Sequence, residues 1–194
     1  MTLNYRRSLL LILLLSILTN CRFKTERVSD VCKKDNKTTV FFDIKGYFCN
    51  IVNEYESTDR KVDKQVSFGN KSEFHESMSV DWKAELLGFI NTDINRSSWI
   101  ENFAVDTIIR DNGSTLLYQT TDASIPIKKM EINFSTTDEV IEIDIISERK
   151  SLLYKSKQKL HFQPNVSYSV TGWQRTLMLS QTDFEVKANI VANK

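Results

Sequence analysis

The chain has 194 residues, with 26 Lys and Arg against 25 Asp and Glu and a formal net charge of +1. No basic excess marks it for nucleic acid, so nucleic acid is not an expected partner. Two Pro and five Gly in the whole chain exclude a low-complexity or disordered protein.

The first element is an export signal. Arg6 and Arg7 precede the apolar run Leu9–Leu15, and Ser16-Ile17-Leu18-Thr19-Asn20 lead to Cys21. A short basic stretch, an apolar run and small or polar residues describe a secretory signal peptide. The apolar stretch Ser8–Leu18 is shorter than the roughly 20 residues that span a bilayer. The cysteine at its end resembles the lipobox of bacterial lipoproteins. Leu18 stands at the position three before the cysteine and Thr19 at the next, while Asn20 replaces the usual Gly, Ala or Ser. The resemblance implies that residues 1–20 are removed, that Cys21 is acylated and that the membrane is reached through this lipid. Residues 21–38, polar and without period, then read as a tether. The stretch Arg22-Phe23-Lys24-Thr25-Glu26-Arg27 lacks the short acidic export signal of such lipoproteins, and Asp does not follow the cysteine. The expected location is the outer membrane, facing the periplasm.

Loss of Arg6 and Arg7 leaves 24 basic and 25 acidic residues, a net charge of −1. The mature length suits one domain, residues 39–194, able to bury about 70% of its unfolded surface. Cys32 and Cys49 remain beside Cys21. Export permits a disulfide between them, and spacing alone leaves open a bridge or two free thiols. Asn-x-Ser/Thr sequons occur at Asn36, Asn70, Asn95, Asn112, Asn133 and Asn165. Beside a bacterial lipobox they read as incidental.

Helical spacing begins near Thr39, where Phe41, Ile44, Phe48, Ile51, Val52 and Tyr55 form one apolar stripe. Gly46 within it costs about 1 kcal/mol relative to Ala and suggests a close approach. Lys61–Phe74 alternates weakly, with Gly69-Asn70 as a turn, and reads as a short hairpin. A second helix is expected with Ser79 as cap, Asp81 at the positive dipole end, and Trp82, Leu86, Phe89 and Ile90 on one face.

From Trp99 the period becomes two. Phe103, Val105 and Thr107 lead to Asp111-Asn112-Gly113-Ser114, and Leu116, Tyr118 and Thr120 follow. Asn-Gly predicts a type I′ hairpin. Met130, Ile132 and Phe134, then Ile141, Ile143 and Ile145, alternate with polar residues. Leu152–Phe162, Tyr168–Trp173, Arg175–Leu179 and Phe184–Ile190 continue the pattern. One apolar face per strand means an antiparallel sheet with one wet side. The predicted fold class is α+β: two N-terminal amphipathic helices on an antiparallel meander of about seven or eight strands, a pattern equally compatible with a sheet curled toward a barrel.

Three stretches together resemble a group of uncharacterised small lipoproteins of Bacteroidota. They are Phe41-Phe42-Asp43-Ile44-Lys45-Gly46-Tyr47-Phe48; Asp81-Trp82-Lys83-Ala84-Glu85-Leu86 with Asn91–Asn95 and Trp99; and Leu153-Tyr154-Lys155-Ser156 with Tyr168 and Gln174. The resemblance implies compartment and lineage and carries no activity.

Catalytic signals are sparse. His75 and His161 lie in different segments, outside any metal-ligand motif, and there is no HExxH, paired CxxC, EF-hand loop, GxSxG or phosphate loop. No metal and no cofactor is expected. Glu139, Glu142 and Asp144 form an acidic cluster, with Glu142 and Asp144 on one strand face. Such a cluster reads as a solvated strand face rather than a glycosidase pair. Trp82, Trp99, Tyr118, Tyr154 and Trp173 are the candidate ligand groove, beside the alternative that they are core. The function expected is a non-enzymatic envelope lipoprotein that binds a protein or envelope component. The alternative is a carrier of a small apolar ligand in a sheet–helix pocket, with an envelope hydrolase third.

Overall fold

The computed structural model describes residues 31–32, 39–177 and 179–191. Every element below belongs to the unit Cys32–Lys194. The signal peptide, Cys21 and most of the 21–38 tether lie outside the described residues. Among the described residues no helix is long and apolar enough to cross a membrane.

Helix α1 spans Ile44–Ser57. Asp43 caps it, accepting from the Gly46 N–H at 2.9 Å. The close approach at Gly46 is this cap: a Cβ there would lie 2.2 Å from Asp43 Oδ2. The stripe Ile44, Phe48, Ile51, Val52 and Tyr55 is buried as its spacing predicts.

The hairpin that follows is longer than its weak alternation suggests. Strand β1 covers Lys61–Phe68 and β2 covers Lys71–Ser79. Gly69 turns between them with φ +56°. The expected second helix is two single turns, α2 Trp82–Glu85 and α3 Leu87–Ile90. Ser79 is not its cap but the last residue of β2. Asp81 caps α2 instead, accepting from the Ala84 N–H at 3.0 Å. The break falls at Leu86, which is fully buried and whose N–H bonds back to the Trp82 carbonyl.

A 3₁₀ turn, Ile100–Asn102, leads into the main sheet. Its strands are β3 Ala104–Arg110, β4 Gly113–Gln119, β5 Ile127–Phe134, β6 Val140–Lys150, β7 Tyr154–Gln163, β8 Ser167–Thr176 and β9 Thr182–Val191. All nine strands form one sheet in the order β2-β1-β9-β8-β7-β6-β5-β4-β3. Every neighbouring pair is antiparallel. The architecture is α+β with an antiparallel sheet. The expected count of seven or eight strands is corrected to nine. Arg175–Leu179 is no strand of its own, because Ser167–Thr176 runs unbroken into a turn. The sheet does not close into a barrel: β2 and β3 remain its edges, on either side of a ladder that β1 extends by pairing with β9.

The turn between β3 and β4 is also corrected. Arg110 pairs with Gly113 across Asp111-Asn112, so the hairpin is present. Neither Asp111 nor Asn112 has a positive φ, whereas Gly113 has φ +140°. A type I′ turn needs two positive φ angles, so the glycine acts one position later, at the start of β4.

The helices cover one face of the sheet. The Phe48 ring lies 4.9 Å from Phe162 and 5.0 Å from Phe89, and Tyr55 lies 4.7 Å from Trp82. Each such side chain contributes about 1.5–3 kcal/mol on burial. The lead-in to α1 is held by polar bonds. Asn95 Oδ1 accepts from the N–H groups of Val40 and Phe41 at 3.0 and 2.8 Å, and its Nδ2 donates to the Phe42 carbonyl at 3.1 Å. The Phe42 N–H donates to Tyr118 Oη at 3.0 Å.

The covered region stops short of one sheet end. Leu160 of β7 is buried and lies under α3, where a Cβ on Gly88 would be 3.8 Å from it. Gln158 and Ser156, on the same face toward the strand start, are half-buried, and Tyr154 is exposed. Strands β6–β9 therefore run on beyond the helices as a polar ribbon.

Candidate functional site: a leucine-bearing strand end

The five aromatic residues of the expected groove are not brought together. Trp82 and Tyr118 are each 2% exposed and belong to the core. Trp82 meets Tyr55 edge to face and donates its Nε1–H to the Arg60 carbonyl at 3.0 Å. Tyr118 lies 5.1 Å from the Phe41 ring. Trp99 sits in the loop before β3 with Arg96 over its ring at 4.3 Å. Tyr154 opens β7 and reaches Gln174 at 3.4 Å, whereas Trp173 takes the other face of β8, opposite Lys157 and Asp183. Period-two aromatics on different strands and faces serve different neighbours.

Among the described residues the layer beneath the helices is tightly packed. Ile44, Phe48, Tyr55, Ile143, Ile145 and Phe162 retain no accessible surface, so no water-sized void lies against them. Tyr168 closes the same layer, 6.5 Å from Trp82. Burial, reinforced by its bond to Glu85, pushes the Tyr168 phenol far above its ordinary value.

Cys32 and Cys49 are bridged, with Cα atoms 5.6 Å apart. The bond ties the residues before α1 to the buried side of that helix.

The acidic cluster is joined by a histidine that its own segment does not reveal. Asp144 of β6 is the cross-strand partner of His161 of β7. His161 Nδ1 lies 3.3 Å from Asp144 Oδ1 and 3.4 Å from Glu142 Oε1. Donor atoms of the three residues fall within 4.8 Å of one another. Ile143, Ile145 and Phe162 point to the helices, so these three occupy the opposite, solvent-facing side. Both carboxylates have other partners: Lys159 Nζ lies 2.7 Å from Asp144 Oδ1, and Asn133 Nδ2 donates to Glu142 at 3.1 Å. Each carboxylate of the cluster thus has a polar partner on an open sheet face. Glu139 precedes β6, in the turn after β5, and His75 lies on the distant edge strand β2 beside Glu73.

The most unusual surface lies where β6–β9 end beyond the helices. Two turns meet there, between β6 and β7 and between β8 and β9. They carry Leu152, Leu153, Leu177 and Leu179, exposed to 89, 58, 53 and 66%. The Leu177 N–H donates to the Leu153 carbonyl at 2.8 Å and joins the turns. With Tyr154, Lys155, Arg175 and Thr176 they line a shallow groove of about 260 Å³. Leu153 is seven residues from Leu160, about 23 Å at strand rise. The leucines are thus a separate apolar group, not an overflow of the core. Singly exposed apolar residues are ordinary, but a contiguous group marks an interaction surface.

The charge around this end is mainly positive. From Arg149 to Thr182 the chain has Arg149, Lys150, Lys155, Lys157, Lys159 and Arg175 and no Asp or Glu. Arg149, Lys150, Lys155 and Arg175 are exposed beside the turns. Lys157 instead pairs with Glu148 at 2.8 Å and holds that carboxyl below the usual range through the hydrogen bond. The sequence does carry a signal here: the adjacent pair Leu152-Leu153 breaks the alternation of the strand.

No family model, no curated protein and no solved structure matches the chain.

Proposed function

We propose that this protein is a lipid-anchored envelope protein that binds an envelope component without catalysis, using the leucine-bearing end of β6–β9 as its contact surface. The observation that carries this reading is the exposed group Leu152, Leu153, Leu177 and Leu179, set on two bonded turns away from the core. An apolar group so placed adds nothing to folding and gains free energy only when something covers it. Anchoring at Cys21 in the outer membrane, facing the periplasm, is the location that the lipobox resemblance supports. It brings the domain to the compartment in which an envelope component is available. Several acyl chains on one cysteine would hold it stably, whereas one chain binds only marginally.

A photoreactive phenylalanine analogue placed at Leu152 or Leu179 of the full chain, in the native envelope, tests the contact. Covalent adducts are expected at both positions and not at Asn189, which is exposed on β9. Absence of adducts at both leucine positions overturns the reading. For the location, added protease should spare the domain in intact cells and digest it after lysis. Digestion without lysis would place it on the cell surface instead.

A further inference from the structure

We infer that the occupant of the leucine-bearing end is a bilayer surface with anionic headgroups, into which the four leucines insert. This inference rests on the binding reading above and names its partner. Four observations converge on it.

The residues are layered in the order of a membrane interface. Leu152, Leu153, Leu177 and Leu179 form the tip. Tyr154 and the exposed Lys155, Arg175, Lys150 and Arg149 come one step behind them. The polar ribbon of β6–β9 follows. Hydrocarbon receives the aliphatic side chains, and the headgroup level suits an amphipathic tyrosine ring and cationic side chains.

The charge complements phosphate. Exposed Arg149, Lys150, Lys155 and Arg175 outnumber the exposed Asp183, whose Oδ1 accepts from Gln181 Nε2 at 3.1 Å, so the end presents net positive charge to an anionic surface.

Part of the turn backbone is already paired within the chain. An unpaired backbone N–H is costly in hydrocarbon. The N–H of Leu177 is held by the Leu153 carbonyl at 2.8 Å and that of Leu179 by the Thr176 carbonyl at 3.0 Å. The Ser151 N–H is held by the Tyr154 carbonyl at 2.7 Å, and the Tyr154 N–H by Ser151 Oγ at 3.0 Å.

Finally, the apolar composition favours lipid over protein. Protein–protein hot spots are enriched in Trp, Tyr and Arg, and Leu is under-represented among them. Among the described residues of the two turns, leucine supplies the exposed apolar side chains, and the open groove between the turns is shallow.

Bromine-labelled acyl chains quench a tryptophan that enters the bilayer. The full chain, carrying Leu152→Trp or Leu179→Trp, is bound to phosphatidylcholine vesicles with or without phosphatidylglycerol. The parent chain supplies the background of Trp82, Trp99 and Trp173. Phe74→Trp, on the exposed edge strand β2, is the reference. The apolar Leu9–Leu15 run is common to all variants, so differences report the depth of each turn rather than attachment of the chain. In phosphatidylglycerol vesicles, quenching at positions 152 and 179 should exceed that at 74 severalfold. It should fall to the reference level on adding Lys150→Glu, Lys155→Glu and Arg175→Glu together. Quenching at both turns no greater than at position 74 overturns the inference. Protein adducts from the photoreactive probes, with that quenching result, would leave the binding reading standing and remove the lipid. Loss of both adducts and quenching removes both.

Discussion

Tyr168 donates its phenolic proton to Glu85 at 2.5 Å, and the same carboxylate oxygen accepts from Lys64 Nζ at 2.5 Å. One carboxylate thus fastens β8 and β1, separated by β9 in the sheet, to the short helix α2. Glu85 is the last residue of a four-residue helix that could not stand alone, because a helical nucleus is unfavourable without tertiary support. Glu85→Ala would leave both Lys64 and Tyr168 without this partner and should cost about 3 kcal/mol. Tyr168→Phe, which leaves the ion pair in place, should cost about 1–2 kcal/mol. Urea unfolding curves measure both, and equal losses for the two variants would contradict a shared acceptor.

The buried phenols predict an alkaline limit. Burial raises Tyr47, Tyr55, Tyr118 and Tyr168 above the ordinary value near 10. The folded chain therefore keeps these protons at a pH where the unfolded chain loses them. Their contribution is complete below about pH 10 and is lost as the pH rises beyond it. Absorbance titration should show Tyr47, Tyr55, Tyr118 and Tyr168 ionising only together with unfolding. Independent ionisation of these four tyrosines near pH 10 without unfolding would refute this.

Asn95 holds the backbone of three successive residues before α1. Asn95→Ala leaves those partly buried groups without this partner and should cost about 1–2 kcal/mol. Hydrogen exchange should speed most at Val40 and Phe41. The side chain is 2% exposed, so a glycan on this sequon is incompatible with the fold. Expression in a glycosylating host should leave Asn95 unmodified in folded material.

The Cys32–Cys49 bridge closes a loop of sequence separation 17. Its loss should cost about 3 kcal/mol if unfolded-state entropy dominates. Melting with and without reductant reads this directly, and Cys32→Ser/Cys49→Ser should match the reduced parent. An unchanged melting temperature on full reduction would show that α1 holds without the bridge.

Gly172 lies where β8 and β7 approach closely. A Cβ there would lie 2.2 Å from the Lys157 carbonyl oxygen and 2.8 Å from the Gln158 Cα. Both are backbone atoms, so the strand pair must separate to admit a side chain. Gly172→Ala should cost roughly 1–3 kcal/mol. It should loosen the ribbon that carries the leucine turns before the covered core, seen as faster amide exchange at Lys155–Lys159 than at Phe162.

The sequence by itself determined those features that depend on neighbours along the chain. The apolar stripe from Ile44 to Tyr55 is a helix because every third or fourth residue shares its face. Ile143 and Ile145 are core because a strand alternates faces. Tertiary structure alone decided what depends on distant pairing. Glu142, Asp144 and His161 meet only through the register of β6 with β7, and β1 joins the sheet only beside β9. The split of the second helix at Leu86 follows from burial against the sheet, which the spacing of Trp82, Leu86 and Phe89 does not contain. The leucines show the same limit. Leu152–Phe162 reads as one apolar-faced strand, yet Leu160 and Phe162 lie under the helices while Leu152 and Leu153 project beyond them. Burial depends on what covers a face, and the reach of that cover exists only once the chain has folded.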